Sequence, residues 1–113
     1  IAEHVLALKQ QKKIDKEILN IIVEMSAVAY EMQKMSAEAF LKKDVRLAVL
    51  AMGKMEKIRE KERTLLTKVM EKTKDVDTAV ILGMITRDLR RIAGYAVAIA
   101  DDAMNRVLTP VAG

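Results

Sequence analysis

Residues 14–42, IDKEILNIIVEMSAVAYEMQKMSAEAFLK, carry an apolar pattern of helical period. The apolar residues recur every three or four positions: Ile14, Ile18, Ile21, Ile22, Met25, Val28, Ala29, Met32, Met35 and Ala39. Charged residues fill the opposite side: Asp15, Lys16, Glu24, Glu31, Lys34 and Glu38. Such spacing gathers the apolar side chains on one face of an α-helix. The stretch therefore predicts an amphipathic helix over residues 14–42.

Two further runs of the same period follow, each after a short polar break. Asp44 is the expected N-cap of a second helix over residues 45–73, and Asp75 or Asp77 is the expected N-cap of a third over residues 76–108. The second run has apolar residues at Leu47, Ala48, Met52, Met55, Ile58, Leu65, Leu66 and Val69. The third has them at Val80, Ile81, Ile85, Leu89, Ile92, Ala96, Ile99, Ala103 and Val107.

The distribution of proline and glycine excludes a β-rich fold. No proline occurs before Pro110, and Gly53, Gly83 and Gly94 each stand without a second turn-forming residue beside them. Helices of this length form rods of about 40–50 Å. Because short connections favour antiparallel neighbours, we expect an all-α, up-down-up three-helix bundle.

The amino-acid composition excludes several kinds of functional site. The chain has 113 residues, no cysteine, one histidine, 32% charged residues and a net charge of +4. This fits one domain and excludes a disulfide-stapled module, thiolate chemistry and cysteine-ligated zinc. His4 has no second histidine or cysteine to share a metal with. The sequence has no signal-peptide pattern, and its longest strongly apolar run, residues 79–85, is too short for a membrane span. We therefore expect a soluble cytoplasmic protein without membrane insertion.

The third predicted helix contains the most specific string, DLRRIAGYAVAIAD at residues 88–101. It resembles the signature helix of PhoU domains, usually written D-L-E-R-I-G-D-H-A-V-N-I-A-E. The matching positions are Asp88, Leu89, Arg91, Ile92, Ala96, Val97, Ile99 and Ala100, while Asp101 stands in place of glutamate. The order of helices and breaks fits the same family over residues 14–108. The resemblance implies a PhoU-like three-helix domain at 14–109, followed by a tail at 110–113.

The first residues echo the end of that signature. Residues 1–6, IAEHVL, correspond to residues 99–104, IADDAM. Since PhoU proteins usually carry two such repeats in tandem, we interpret the chain as a second repeat, excised from a longer protein that begins before Ile1. Residues 1–13 are then the tail of a preceding helix plus a hinge. The polar segment 9–13 is either a real break or the solvated face of one continuous helix.

The resemblance also bears on whether this chain binds a metal ion. Family members often bind an iron or zinc cluster through E-x-x-x-D pairs, one in the signature helix and one in the helix before it. Those positions correspond here to Arg90 and Gly94, and to Met55 and Arg59, none of which ligates metal. We therefore predict no metal and no cofactor. Three further carboxylates are interpreted as surface ion pairs or helix solvation: Asp88, Asp101 and Asp102.

The basic residues permit two interpretations. Arg87, Arg90 and Arg91 could join a stripe on the second helix and bind an anion or nucleic acid. That stripe would contain Lys54, Lys57, Arg59, Lys61 and Arg63. Alternatively they belong to a solvated face, because acidic residues are interleaved with them: Glu56, Glu60, Glu62 and Asp88. The balanced charge and the lack of a helix-turn-helix unit argue against direct nucleic-acid binding by this chain.

Small residues and methionines are the remaining features. A stripe of small residues on the third helix, which we call the smooth stripe, either packs tightly inside the bundle or forms a flat docking or dimer surface with Tyr95 at its edge. It contains Ala93, Gly94, Ala96, Ala98, Ala100 and Ala103. The methionines of the apolar stripes suit core filling, or a recognition groove between repeats.

No catalytic motif is present, so we predict no enzyme activity. Residues 14–18, IDKEI, resemble the opening of the long helix of an all-helical chorismate mutase, but Glu24 and Met25 stand where that site needs arginine.

The resemblance implies a homodimeric regulator of phosphate uptake. It would dock on the phosphate-specific ABC transporter and its sensor kinase, and we predict that Arg87, Arg90, Arg91 and Tyr95 form the docking surface. Two alternatives stay open. One is the dimerisation domain of a larger AbrB-PhoU-type DNA-binding transcriptional regulator, and the other is a purely structural dimerisation domain.

Overall fold

The computed structural model describes residues 15–108, which contain helices and no strand. The helical segments are α1 (Lys16–Lys42), α2 (Val45–Gly53), α3 (Met55–Lys72) and α4 (Val76–Leu108). Because α2 and α3 follow each other directly, the segments form three long helices in a rod-shaped bundle of 59 × 23 × 18 Å. The prediction of an all-helical bundle is confirmed. The predictions for residues 1–13 and 110–113 lie outside the described residues.

The second helix is interrupted where the sequence predicted continuity. At Lys54 the backbone N–H donates to the Ala51 carbonyl at 3.2 Å, and the Lys54 carbonyl accepts from Lys57 N–H at 3.0 Å. These bonds span three residues instead of four, so the helix tightens locally into a 3₁₀-like turn. The exposed Gly53 precedes this turn, and glycine weakens a helix because it gains the most conformational freedom on unfolding.

Aspartates begin each of the three helices. Asp15 Oδ1 accepts from Glu17 N–H at 2.8 Å, and Asp44 Oδ1 accepts from Leu47 N–H at 3.1 Å, as predicted for Asp44. At α4 the cap is Asp75 and not Asp77: its carboxylate accepts from Asp77 N–H and from the Thr78 hydroxyl. The Thr78 hydrogen bond is the main reason that the pKa of Asp75 lies below its ordinary value. The caps satisfy amide donors that the first helical turns leave open.

A large apolar core fills most of the bundle. Met25 and Met32 of α1 are fully buried and fill the core as predicted, whereas Met35, Met52 and Met55 are partly buried and pack against its edge. The larger residues of this core are Ile18, Ile22, Met25, Met32, Ile58, Leu65, Val69, Leu82, Ile85 and Leu89. Two buried hydroxyls avoid a desolvation cost by bonding within their own helices: Ser36 donates to the Gln33 carbonyl and Thr86 to the Leu82 carbonyl.

Alanines replace the larger residues toward one end of the bundle. Ala39, Ala48, Ala51 and Ala100 form a separate buried cluster that joins α1, α2 and α4. Side chains this small let the helices approach closely. The smooth stripe of α4 is therefore mainly a packing surface, because Ala93, Ala96, Ala100 and Ala103 are all buried.

Ion pairs tie α1 to the second helix along one flank. Lys68 Nζ lies 3.2 Å from Glu17 Oε1, Lys61 Nζ lies 2.7 Å from Glu24 Oε2, and Lys54 Nζ lies 3.2 Å from Glu31 Oε1. Lys72 also pairs with Glu17. Within residues 15–108, no helix has the length and apolar composition that crossing a bilayer requires.

Candidate functional site

Three of the four predicted docking residues lie one helical turn apart on the outside of α4. Arg87, Arg91 and Tyr95 follow one another at intervals of four residues and are all exposed. The opposite side of the same turns packs into the core through Leu89, Ala93 and Ala96. The rigid helix therefore fixes the spacing of the three outward side chains. We call Arg87, Arg91 and Tyr95 the α4 docking row.

Arg91 and Tyr95 form the polar centre of this row. Arg91 Nη2 donates to the Tyr95 hydroxyl at 3.3 Å, and this hydrogen bond raises the pKa of Arg91 above its ordinary value. Both residues line an open depression of about 200 Å³ together with Asp88 and Ile92. A guanidinium and a phenol held side by side offer donors to a carboxylate or phosphate and an apolar surface beside them.

Arg87 lies next to Asp88, the acidic residue among the described residues that line this depression. Its Nη2 atom is 3.7 Å from Asp88 Oδ1, and the Asp88 side chain is largely covered. The pair lowers the net charge around Arg87, but the guanidinium itself stays about half exposed. Arg87 therefore keeps donors available to a partner.

Arg90 does not join the row. Its side chain turns toward α3, where Nη1 lies 3.5 Å from Glu62 Oε2. The Glu62 carboxylate is mostly buried, with 18% of the side chain exposed. In the sequence, Glu62 is one of several interleaved charges, and its contact with Arg90 was not predicted, because helical period alone does not tell which residue of a neighbouring helix lies opposite. Arg90 therefore connects α4 to α3.

Three of the five cations that the proposed basic stripe has on the second helix form ion pairs with acidic partners. Lys54 pairs with Glu31, Lys61 with Glu24, and Arg59 with Glu56 at 3.4 Å. A continuous positive surface for a nucleic-acid backbone needs clustered cations whose charge is not neutralised locally. The structure therefore favours the interpretation of these residues as a solvated, ion-paired face.

The positions that correspond to the family's metal ligands do not fit a metal ion. Arg90 and Arg59 bring positive charge and are paired with glutamates, while Met55 packs against the core and Gly94 has no side chain. Among the described residues, no group of three histidine, cysteine, aspartate or glutamate side chains is placed to hold a metal ion.

Two of the remaining carboxylates are engaged in ion pairs. Asp102 pairs with Arg106 at 3.2 Å and Asp88 with Arg87. Asp101 is exposed on α4.

Comparison with known proteins agrees with the resemblance found in the sequence. The family model described as PhoU domain matches residues 22–103, which include the signature string and the whole α4 docking row. Searches of curated proteins and of solved structures find no match. Since the matched region covers most of the chain, the chain belongs to the PhoU domain family.

Proposed function

We propose that this chain is a non-enzymatic, cytoplasmic regulator of phosphate uptake that acts by docking on the phosphate transport or signalling machinery. The observation that carries the proposal is the PhoU domain match over residues 22–103. The family has a regulatory role in phosphate uptake. The partners that the resemblance implies are the phosphate-specific ABC transporter and its sensor kinase, and the regulator itself is a homodimer.

The docking surface in this proposal is the α4 docking row. Arg87, Arg91 and Tyr95 point away from the core, and none of the three is needed to close the bundle. Arginine and tyrosine are enriched where proteins bind one another, because each combines a large contact area with hydrogen-bond donors. The favoured partner surface is acidic, with carboxylates placed to accept from Arg87 and Arg91. Arg90 is as exposed as Arg87 but turns toward α3, so it lies outside this row, and its part in docking stays a prediction.

We infer that the three helices run up, down and up. Support comes from the ion pairs, since Glu17 pairs with Lys68 whereas Glu31 pairs with Lys54. Residue numbers thus rise along α1 while they fall along the second helix. The cluster shared by Ala39 and Ala100 supports a parallel arrangement of α1 and α4. In this topology the docking row spans the middle of a rigid rod.

The docking proposal predicts that reversing the charge of the row abolishes partner binding. The test compares the wild-type chain with the double variant Arg87→Glu/Arg91→Glu for binding to the purified transporter ATPase subunit and to the cytoplasmic part of the sensor kinase. Isothermal titration calorimetry measures both affinities. We expect at least a tenfold loss for the double variant, since truncating residues at the centre of an interface typically costs about 2 kcal/mol or more.

A matched control separates the surface from overall charge. The double variant Arg46→Glu/Arg63→Glu makes the same change in net charge at exposed positions of α2 and α3. Binding should persist in this control. Intact binding by Arg87→Glu/Arg91→Glu, or an equal loss in the control, would show that the α4 docking row is not the surface.

A further inference from the structure

Five exposed apolar side chains lie on α3 and α4 outside the α4 docking row. They are Leu66, Met70, Val76, Val80 and Met84. Each is at least 38% exposed, and Met70 reaches 84%. Together they present on the order of 400 Å², which is the size of the largest apolar patch on a typical monomer, and such a patch is often functional. We call these five residues the α3/α4 patch.

The two helices hold the residues of the patch side by side. On α3, Leu66 and Met70 follow Glu62 at intervals of four residues, and Glu62 contacts Arg90 of α4. The two valines of the patch precede Arg90 by steps of three and four, so they lie on the same side of α4 as Arg90 does. Only residues 73–75 separate the two helices, which keeps the rows adjacent near the turn.

A groove lies between these two rows. Gly83 is placed between Val80 and Arg87 on the side of α4 that faces α3. Among the residues that the structure describes, a Cβ built on Gly83 would meet nothing within 4 Å beyond its own helix. The groove therefore has apolar walls and an open floor. Such a groove accepts a further helix, because helices pack by fitting the ridges of one into the grooves of another.

The patch continues into the α4 docking row. Met84 precedes Arg87 by three residues, and Arg91 and Tyr95 follow at intervals of four. A row of this period is inclined by about 26° to the helix axis, so it turns away from α3 along α4. Ile99, four residues beyond Tyr95, already lines a groove with residues of α1. The outer side of α4 is thus apolar near its start and basic toward its middle.

The charges along this path favour a partner that is acidic at one end. The Arg87 side chain is about half exposed, although Asp88 lies 3.7 Å away and offsets part of its charge. Arg91 is exposed and donates to the Tyr95 hydroxyl. Guanidinium groups bind carboxylates with paired hydrogen bonds, whereas the patch offers only apolar contact. A complementary segment therefore carries apolar residues in one half and carboxylates in the other.

The shape of the site favours a helical segment over an extended one. Residues 15–108 contain no strand, so an extended segment finds no sheet edge there with which to pair. An amphipathic helix satisfies its own backbone and lays its apolar side into a groove. From Val76 to Tyr95, α4 rises by about 28 Å, which equals the length of a helix of about 20 residues.

We propose that the α3/α4 patch and the α4 docking row together bind one amphipathic helix of a partner protein. Its apolar half packs on the patch, and its acidic half pairs with Arg87 and Arg91. Met70 and Met84 suit such a site, because the flexible methionine side chain adapts to the partner's shape. The inference rests on the proposed function, since it names the kind of partner segment that the docking row binds.

The test uses a synthetic probe measured by fluorescence anisotropy. The probe is a labelled, stapled 20-residue helix with leucines on one face of its first half and glutamates on the same face of its second half. The wild-type chain should bind it with a Kd below about 100 μM. Met70→Glu/Val80→Glu and Arg87→Glu/Arg91→Glu should each weaken binding at least tenfold. A probe with lysines in place of the glutamates should bind at least tenfold more weakly.

Two controls locate the site and its occupant. Val49→Glu/Leu50→Glu introduces the same charges at exposed apolar positions of α2 and should bind the probe as the wild type does. In the cysteine-free chain, Met70→Cys should react with maleimide as fast as Thr67→Cys, also exposed on α3, and the probe should slow only the former. Because the substituted positions are exposed, all variants should keep the wild-type helical circular dichroism.

Several results would overturn the proposal. They are a wild-type chain that does not bind the probe, equal binding of the lysine probe, unchanged binding by Met70→Glu/Val80→Glu, or loss of binding in the α2 control. A slow Met70→Cys reaction at every protein concentration would show that residues outside 15–108 cover the patch, and a reaction that slows as concentration rises would show that a second copy does.

Failure of this inference is distinguishable from failure of the proposed function. The probe measurements involve neither the transporter nor the kinase, whereas the calorimetric test of docking uses both. Calorimetric binding that is lost in Arg87→Glu/Arg91→Glu but unchanged in Met70→Glu/Val80→Glu would retain the docking row and reject the helix.

Discussion

At the scale of single residues, an ion pair occurs where the metal-binding pattern of the family has an acidic ligand. Arg90 occupies a position where the family pattern has an acidic ligand, and its guanidinium lies against the largely buried Glu62. The Arg90 guanidinium thus neutralises the Glu62 carboxylate. The sequence showed the loss of ligands at Arg90 and Gly94. It did not show Glu62, because the contact depends on how α3 is placed against α4.

We expect truncation of Arg90 to lower the free energy of unfolding more than truncation of Arg59 does. Arg90→Ala should lower the free energy of unfolding by about 1–3 kcal/mol, because it leaves the covered Glu62 carboxylate without this partner. Urea unfolding followed by circular dichroism measures the change. Arg59→Ala breaks an exposed pair with Glu56 and should cost less than about 1 kcal/mol. Equal costs for the two variants would contradict the account of Arg90.

At the scale of elements, the sequence predicted helix ends better than it predicted helix continuity. Asp44 and Asp75 are side-chain caps whose hydrogen bonds come from groups within three residues along the chain, so local sequence suffices to find them. The break at Lys54 follows a single exposed glycine, and most isolated glycines in helical patterns are tolerated without a break. Gly83 and Gly94 lie inside the unbroken α4, so glycine alone did not distinguish the three positions.

The alanine cluster gives an element-scale prediction. Ala100→Leu should lower the free energy of unfolding by about 1–3 kcal/mol, because the fully buried site joins α1, α2 and α4 with no room for added carbons. Ala98→Leu, two residues away on the exposed side of α4, is the matched control and should change stability by less than about 0.5 kcal/mol. Thermal and urea unfolding compare the two. A tolerated Ala100→Leu would refute close packing at this end.

At the scale of the whole molecule, ion pairs along one flank join α1 to the second helix over most of their length. Glu17 contacts Lys68 and Lys72, and Glu24 and Glu31 contact lysines further back along the second helix. The sequence predicted mixed charge on these faces but not which residues would meet, since pairing across helices depends on their relative shift along the bundle axis. The bundle class followed from apolar period alone, because that period determines which faces are buried.

These contacts predict how stability depends on pH. Hydrogen bonds from Lys72 and Lys68 lower the pKa of Glu17, and the hydrogen bond to Glu17 raises the pKa of Lys72. A lowered folded-state pKa gives stability that is present above the unfolded value, about 4.3 for glutamate, and lost as pH falls. A raised lysine pKa gives stability that is present below about 10.4 and lost as pH rises.

Stability should therefore be level between about pH 5 and 9 and decline on both sides. Urea midpoints measured from pH 2.5 to 11 test this dependence. Glu17→Gln should reduce the acid decline more than Glu71→Gln does, since the latter removes the same charge at an exposed position near the end of α3. Identical pH profiles for the two variants would argue against the Glu17 contacts.

The central claim is that this PhoU domain restrains phosphate uptake through the α4 docking row. The most direct measurement is the initial rate of radiolabelled phosphate uptake by cells of the native host grown in excess phosphate. Deleting the coding sequence should raise the rate, the wild-type gene and Arg46→Glu/Arg63→Glu should restore it, and Arg87→Glu/Arg91→Glu should not. An unchanged rate after deletion, or full restoration by Arg87→Glu/Arg91→Glu, would contradict the claim.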